Sequence, residues 1–176
     1  RQVKEKFGTI DILFNNAGIC VNEAAAEMSF ESWKKVIDIN LTGIFLVAQE
    51  VGKVMIEQRS GVIINTASMS AHIVNQPQPQ CSYNASKAGV IQLTKSLAVE
   101  WASYGVRVNS ISPGYIATEM TLKAPEEWKS VWTGHGVYDR MGKPEELQTA
   151  LLYLASENSS FTTGADIVID GAFTCI

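Results

Sequence analysis

Cysteine, histidine, long apolar runs and concentrated positive charge are all scarce in this 176-residue chain, and each scarcity removes a class of function. Cys20, Cys81 and Cys175 are the only three cysteines; they are widely spaced, with no CxxC pair and no Cys/His grouping at metal-ligand spacing. Neither a disulfide framework nor a zinc module is expected, and a reducing, cytoplasmic compartment fits this usage. His72 and His135 are the only two histidines and neither has a second ligand close in sequence, so no metal site is expected. Uninterrupted apolar runs such as 61–64 or 44–48 are far too short to cross a bilayer, and no basic-then-apolar leader opens the chain. The 14 Lys and Arg residues stand against 18 Asp and Glu, a net charge of −4 without a basic block. Neither a nucleic acid nor a membrane is therefore an expected partner.

What is present is an ordinary globular composition, 46% apolar and 18% charged, long enough for one domain with a sizeable core over residues 1–176. Four short apolar runs, 10–16, 62–67, 106–111 and 166–169, read as buried parallel strands. Helical patterns separate them. Ser29 suits the N-cap of a segment from Phe30 to about Gln58, a second helix spans about 83–104, and a third begins at Pro144. Between them, 116–142 is irregular and reads as a substrate-side insertion or lid. Alternating strands and helices predict an α/β domain with helices on both faces of a parallel sheet. In such sheets ligands bind beyond the carboxyl ends of the strands, which directs attention to Asn15–Gly18, Ser68–Ser70 and Pro113–Thr118. The opening residues, beginning at Arg1 without a Met, read as the last turns of a helix stopped by Gly8, so an N-terminal piece is expected to be absent.

Tyr83-Asn-Ala-Ser-Lys87 is the strongest local signal. Spacing of i, i+4 puts a phenol and an ammonium on one helix face, about 6 Å apart at Cβ. A cation beside a tyrosine favours phenolate, and so does a helix N-terminus, which would bring a phenol that ordinarily titrates near pH 10 into use as a general acid or base. Alone, the pair also fits a solvated surface contact.

With its surroundings, the pair resembles the short-chain dehydrogenase/reductase family. The resemblance rests on Asn15-Asn-Ala-Gly18 after a strand, Asn40 within a helix, a serine at a strand end, Tyr83 and Lys87, Arg107-Val-Asn-Ser-Ile-Ser-Pro-Gly114, and Thr163-Gly-Ala-Asp-Ile-Val-Ile-Asp-Gly171. These motifs keep the family's order and cover nearly the whole chain. The resemblance implies a Rossmann-like doubly wound parallel sheet that here lacks its N-terminal strands and glycine-rich phosphate loop, a segment of roughly 80 residues at about 30 per βα unit. It implies NAD or NADP as cofactor; the residue that selects between them belongs to the missing segment.

By the same resemblance, Tyr83 exchanges a proton with the substrate oxygen, and Lys87 lowers the tyrosine pKa and holds the nicotinamide ribose. A serine binds the same substrate oxygen, and Asn40 anchors a water linking Lys87 to solvent. Asn16, Ala17 and Gly18 would approach the adenosine ribose, Pro113 and Gly114 the nicotinamide ring, and Ile116 and Thr118 the carboxamide and pyrophosphate. Family spacing to the tyrosine favours Ser70, but strand register and a lengthened 75–80 loop favour Ser68. Ser68 is taken as catalytic, leaving Ser70 to line the pocket or to satisfy loop backbone groups.

The 67–80 segment resembles the polyol and ketose branch of the family: arabinitol, mannitol or sorbitol dehydrogenases and sorbose or xylulose reductases. It makes Ser70, His72, Asn75 and Gln76 the expected substrate contacts for a sugar alcohol or ketose, because unmatched hydroxyls are costly to bury. A 3-oxoacyl thioester reductase and a non-catalytic scaffold are the rival readings. His72 also fits a loop residue with a backbone partner, His135 an exposed residue, Cys81 a small buried or half-buried one, and the four tryptophans packing. Excess apolar surface on the two long helices, as in the family, implies a homodimer or homotetramer.

Overall fold

The computed structural model describes residues 2–176. A short helix α1 (Gln2–Phe7) ends at Gly8, whose φ of +80° is open to glycine without strain. Strands β1 (Ile12–Asn15), β2 (Gly61–Thr66), β3 (Val106–Pro113) and β4 (Asp166–Ile169) follow, side by side in that order and all parallel. Parallel neighbours need long crossovers, and helices provide them. Helices α2 (Phe30–Ile37) and α3 (Gly43–Gln58) join β1 to β2, and α4 (Cys81–Trp101) joins β2 to β3. The last crossover holds α5 (Glu119–Leu122), α6 (Glu126–Gly134) and α7 (Gln148–Ala155).

Side chains alternate across a strand, so β2 and β3 feed two cores. On one face Ile63, Val106 and Val108 meet Ala48 and Met55 of α3 and Leu97 and Ala98 of α4. On the other, Ile64 and Ile111 meet Leu154 of α7. This is the α/β sheet that the pattern of apolar runs predicts.

Two elements depart from expectation. The segment from Phe30 to Gln58 is helical throughout, but its hydrogen bonding widens to a π turn over Asp38–Thr42, with the Gly43 amide bonded to the Asp38 carbonyl. Its 29 residues are also long and apolar enough to cross a bilayer by those two measures, which short uninterrupted runs did not reveal. Val36, Ile44, Ala48 and Met55 from this segment are buried in the molecule, while Phe45, Leu46 and Val47 stay exposed. The irregular 116–142 stretch holds the two short helices α5 and α6. Its ends are tied together where the Gly142 amide donates to the Tyr115 carbonyl at 2.9 Å and the Ala117 amide to the Gly142 carbonyl at 2.8 Å.

Leu154 is fully buried and is the only such side chain from α7. Leu154→Ala is expected to destabilise the chain by about 2–5 kcal/mol without changing the denaturant m-value, as read from urea unfolding.

Candidate active site

The site forms where α4 begins beside the carboxyl ends of β1, β2 and β3. Lys87, one turn after Tyr83, is buried and donates from Nζ to the last carbonyl of β2, Thr66 O, at 2.7 Å. Its Nζ lies 5.6 Å from the centroid of the Tyr83 ring. Ser68 follows the end of β2 in extended conformation and caps a single tight turn, Met69–Ala71. Its Oγ accepts from the Ser70 amide and donates to Ser70 Oγ, each at 3.1 Å. Ser68 also lies near enough to the Tyr83 hydroxyl to favour its ionised form. Tyr83, Ser68 and Ser70 thus line one hollow, and buried Lys87 lies against the Tyr83 ring.

Electrostatics differ from the sequence expectation. Burial pushes the Tyr83 phenol up to about 12, an effect that nearby Ser68 only partly offsets. Burial also pushes Lys87 down, to about 8. The expected acidification of Tyr83 by Lys87 is not seen, because Nζ sits over the ring and bonds a backbone carbonyl instead of the phenol oxygen. At neutral pH Tyr83 is a neutral phenol that carries its proton, and burial makes it a weaker acid than a free tyrosine.

Asn40 lies inside the π turn and is fully buried. Its amide clamps Ile19, accepting from the Ile19 amide and donating to the Ile19 carbonyl, both at 2.8 Å, and reaches Ser86 Oγ at 3.1 Å. The side chain is therefore occupied by protein groups, and what it does locally is hold the loop after β1 against Lys87. A Cβ at Gly18 in that loop would make ordinary contact with Lys87 Nζ at 3.4 Å and Asn40 Oδ1 at 3.5 Å, so the loop passes close over both side chains. Asn16 and Ala17 are exposed, and Asn16 Oδ1 accepts from Thr66 Oγ1 at 2.9 Å. Across β2, Pro113 and Gly114 are half-buried, and a Cβ at Gly114 would lie 2.7 Å from Asp170 Cα. Ile116 is buried and bridged to Gly142, while exposed Thr118 caps α5 together with Thr121.

A cavity of about 360 Å³ opens from Ser68 and Tyr83 towards the 116–142 excursion. Ser70 and Asn75 line it, as the sequence suggested. His72 and Gln76 do not. His72 is turned away to Asp166, with Nε2 and Oδ2 2.8 Å apart, and that carboxylate also accepts from the Ser110 and Ser112 hydroxyls. Gln76 is exposed beside Ile73, Val74 and His135, on a different surface. Their places are taken by buried Gln78 and Gln80, together with Cys20, Tyr115 and Trp132. The Gln-Pro-Gln-Pro-Gln stretch bends over 76–78, which leaves Gln76 outward and brings Gln78 and Gln80 to the cavity. Cys81 is exposed, not buried or half-buried. Burial raises the Cys20 thiol to about 11, so it stays protonated.

A family profile described as enoyl-(acyl carrier protein) reductase matches residues 1–174. Sorbose reductase of Candida albicans is 46% identical over 176 residues, covering 99% of this chain and 63% of that protein. A probable NADP-dependent mannitol dehydrogenase of Yarrowia lipolytica is 45% identical over 98% of this chain and 63% of its own length. A short-chain type dehydrogenase/reductase from Mycobacterium marinum superposes with a TM-score of 0.96 at 47% identity, covering 99% of this chain and 69% of that one. The chain belongs to the short-chain dehydrogenase/reductase family, and it spans a little under two thirds of these two curated relatives.

A lysine with a folded pKa of about 8 and an unfolded value of 10.5 binds fewer protons folded than unfolded between those values. The cost of burying its charge is therefore present below pH 8 and is relieved as pH rises. Tyr83 opposes this only above pH 10, where the unfolded phenol ionises first. From pH 7 to 10 the stability of the wild type relative to Lys87→Met is expected to rise by about 2–3 kcal/mol. Urea titrations of both proteins across that range measure it; a difference independent of pH would contradict the assignment.

Proposed function

We propose that the protein carrying this chain is an NAD(P)-dependent oxidoreductase that moves a hydride between the cofactor and a secondary alcohol or ketone, with a sugar alcohol or ketose as substrate. The observation that carries this reading is the meeting of Tyr83 and Ser68 in a single cavity, with Lys87 buried against the Tyr83 ring.

The residues present fit the nicotinamide end of the cofactor. Small residues at the end of β1 pass directly over Lys87, and that ammonium spends one of its three donors on Thr66 O, leaving two for hydroxyl oxygens. Asn16, Ala17, Gly18, Tyr83, Lys87, Pro113, Gly114, Ile116 and Thr118 are assigned to holding it. Bound nicotinamide supplies or accepts the hydride. In ketone reduction Tyr83 gives its proton to the substrate oxygen while Ser68 donates a hydrogen bond to the same atom, stabilising the developing alkoxide. Lys87, a cation below about pH 8, favours the phenolate that remains. Asn40 keeps the loop over Lys87 in place, and alcohol oxidation runs the same transfers backwards.

Substrate class is inferred from the cavity wall. Asn75, Gln78, Gln80 and Ser70 place buried amides and a hydroxyl in the cavity wall, a polar surface that suits a polyhydroxylated chain better than an acyl chain. Relatives named for sorbose and mannitol point the same way. This favours a sugar alcohol or ketose over a 3-oxoacyl thioester, and the convergent site favours an enzyme over a scaffold. The 116–142 excursion, whose α6 lays Trp132 against the cavity, acts as the lid on the substrate side. Exposed Phe45, Leu46 and Val47 on α3 support association with further copies of this chain as a homodimer or homotetramer. Three unpaired cysteines support a reducing, cytoplasmic setting.

In the whole protein, Tyr83→Phe is expected to lower kcat by about 10²- to 10⁴-fold while cofactor affinity changes little. Steady-state kinetics and cofactor fluorescence titration separate the two, and retained turnover would refute the role. A panel of pentitols, hexitols and ketoses is expected to turn over far better than acetoacetyl thioesters; the opposite ranking would move the assignment to the thioester reductases.

A further inference from the structure

One wall of the cavity is a chain of amides, anchored at one end by a group that can only donate. It begins at Trp132, whose indole Nε1 donates to Gln78 Oε1 at 2.9 Å. An indole nitrogen has no acceptor capacity, so the Gln78 amide is held with Nε2 turned the other way, towards the Tyr115 hydroxyl at 3.1 Å. From the opposite side Gln80 Nε2 donates to Asn75 Oδ1 at 3.0 Å. The Asn75 amide is fixed in turn, and its Nδ2 donates to the same Tyr115 hydroxyl at 3.0 Å. Asn75, Gln78 and Gln80 are each at most 7% exposed, so water does not compete freely for these bonds.

Tyr115 follows the Pro113-Gly114 turn at the end of β3. Its ring stacks on Trp132, centroids 4.3 Å apart and planes 9° apart, with Phe173 edge-on at 5.3 Å. The ring therefore cannot swing its oxygen elsewhere without losing both contacts. Two N–H groups fill the two lone pairs of that oxygen, and no acceptor among the described residues takes its proton. Burial raises the Tyr115 pKa, which keeps that proton on. The only hydrogen bond left to this hydroxyl is one it donates, and Tyr115 lines the same cavity as Ser68 and Tyr83.

We propose that Tyr115 is a specificity-determining residue whose hydroxyl donates to an acceptor oxygen of the substrate other than the reacting one. This rests on the oxidoreductase reading above and sharpens its substrate class. The favoured substrate carries a hydroxyl or carbonyl oxygen away from the reacting carbon, and a simple ketone with no such oxygen leaves the Tyr115 proton without a partner. A site built to hydrogen-bond a substrate discriminates strongly against an analogue lacking the matching group, because the site's own polar atom is then buried unpaired.

The test compares Tyr115→Phe with the wild type in the whole protein, using a hexulose and a 2-alkanone of equal carbon number. Removing the hydroxyl keeps the ring on Trp132. The variant is expected to lose about 10- to 100-fold in kcat/KM for the hexulose and to stay within about twofold for the alkanone. Gln78→Met provides an independent arm: it frees one lone pair of Tyr115, lets the hydroxyl accept as well as donate, and is expected to narrow the wild-type preference for hexulose over alkanone. Equal losses on both ketones, or none on either, would overturn the role of Tyr115 while leaving the polyol reading intact. If the wild type instead prefers acetoacetyl thioesters, the polyol reading falls, and the role of Tyr115 is decided by whether Tyr115→Phe loses more on the thioester, which has a second carbonyl, than on the alkanone.

Discussion

The bond from Lys87 Nζ to the last carbonyl of β2 is the contact on which the site depends. It places a cation from a helix against the end of a strand, in a position too buried for the charge to be comfortable, and so fixes the angle at which α4 leaves the sheet. Tyr83 is carried on the same helix one turn earlier, and its distance from Ser68 follows from that angle. Burial does two jobs here. It fixes the positions of Tyr83 and Lys87, and it raises the phenol while lowering the amine, driving apart pKa values that nearly coincide in free solution.

A second constraint comes from the π turn. One extra residue in the helical ladder is a common mark of a functional position, because the bulge costs stability that a regular helix would keep. Asn40 sits inside the bulge and binds both backbone groups of Ile19. The deformation of a long helix is thereby converted into a fixed position for the loop after β1, next to the amine. Gly18 completes this arrangement, since the loop passes close over Lys87 and Asn40 there.

Much of this was legible in the sequence. Strand runs such as 62–67 and 106–111 are β-branched and bounded by polar or glycine residues, and the observed strands differ from them by no more than two residues at either end. Tyr83 and Lys87 were readable from i, i+4 spacing, and Ser68 from strand register, once the resemblance to the short-chain dehydrogenase/reductases tied the three together. Other features were not local. The orientation of His72 is decided by Asp166, 94 residues away, and the split between outward Gln76 and inward Gln78 and Gln80 is decided by Tyr115 and Trp132. The pKa of Tyr83 was misjudged because i, i+4 spacing reports neighbourhood but not burial. Nor does any spacing rule reveal that two amides saturate a phenol oxygen, since that requires knowing what each amide's other end is doing.

The bridge between Ile116 and Gly142 has a consequence for how this scaffold can diverge. Everything between those residues leaves and rejoins the body at one pinch point, so insertions or deletions there need not propagate into the strands or into α4. New side chains can be brought to the cavity by rewriting that excursion alone, while Tyr83, Ser68 and Lys87, outside the pinch, keep their positions.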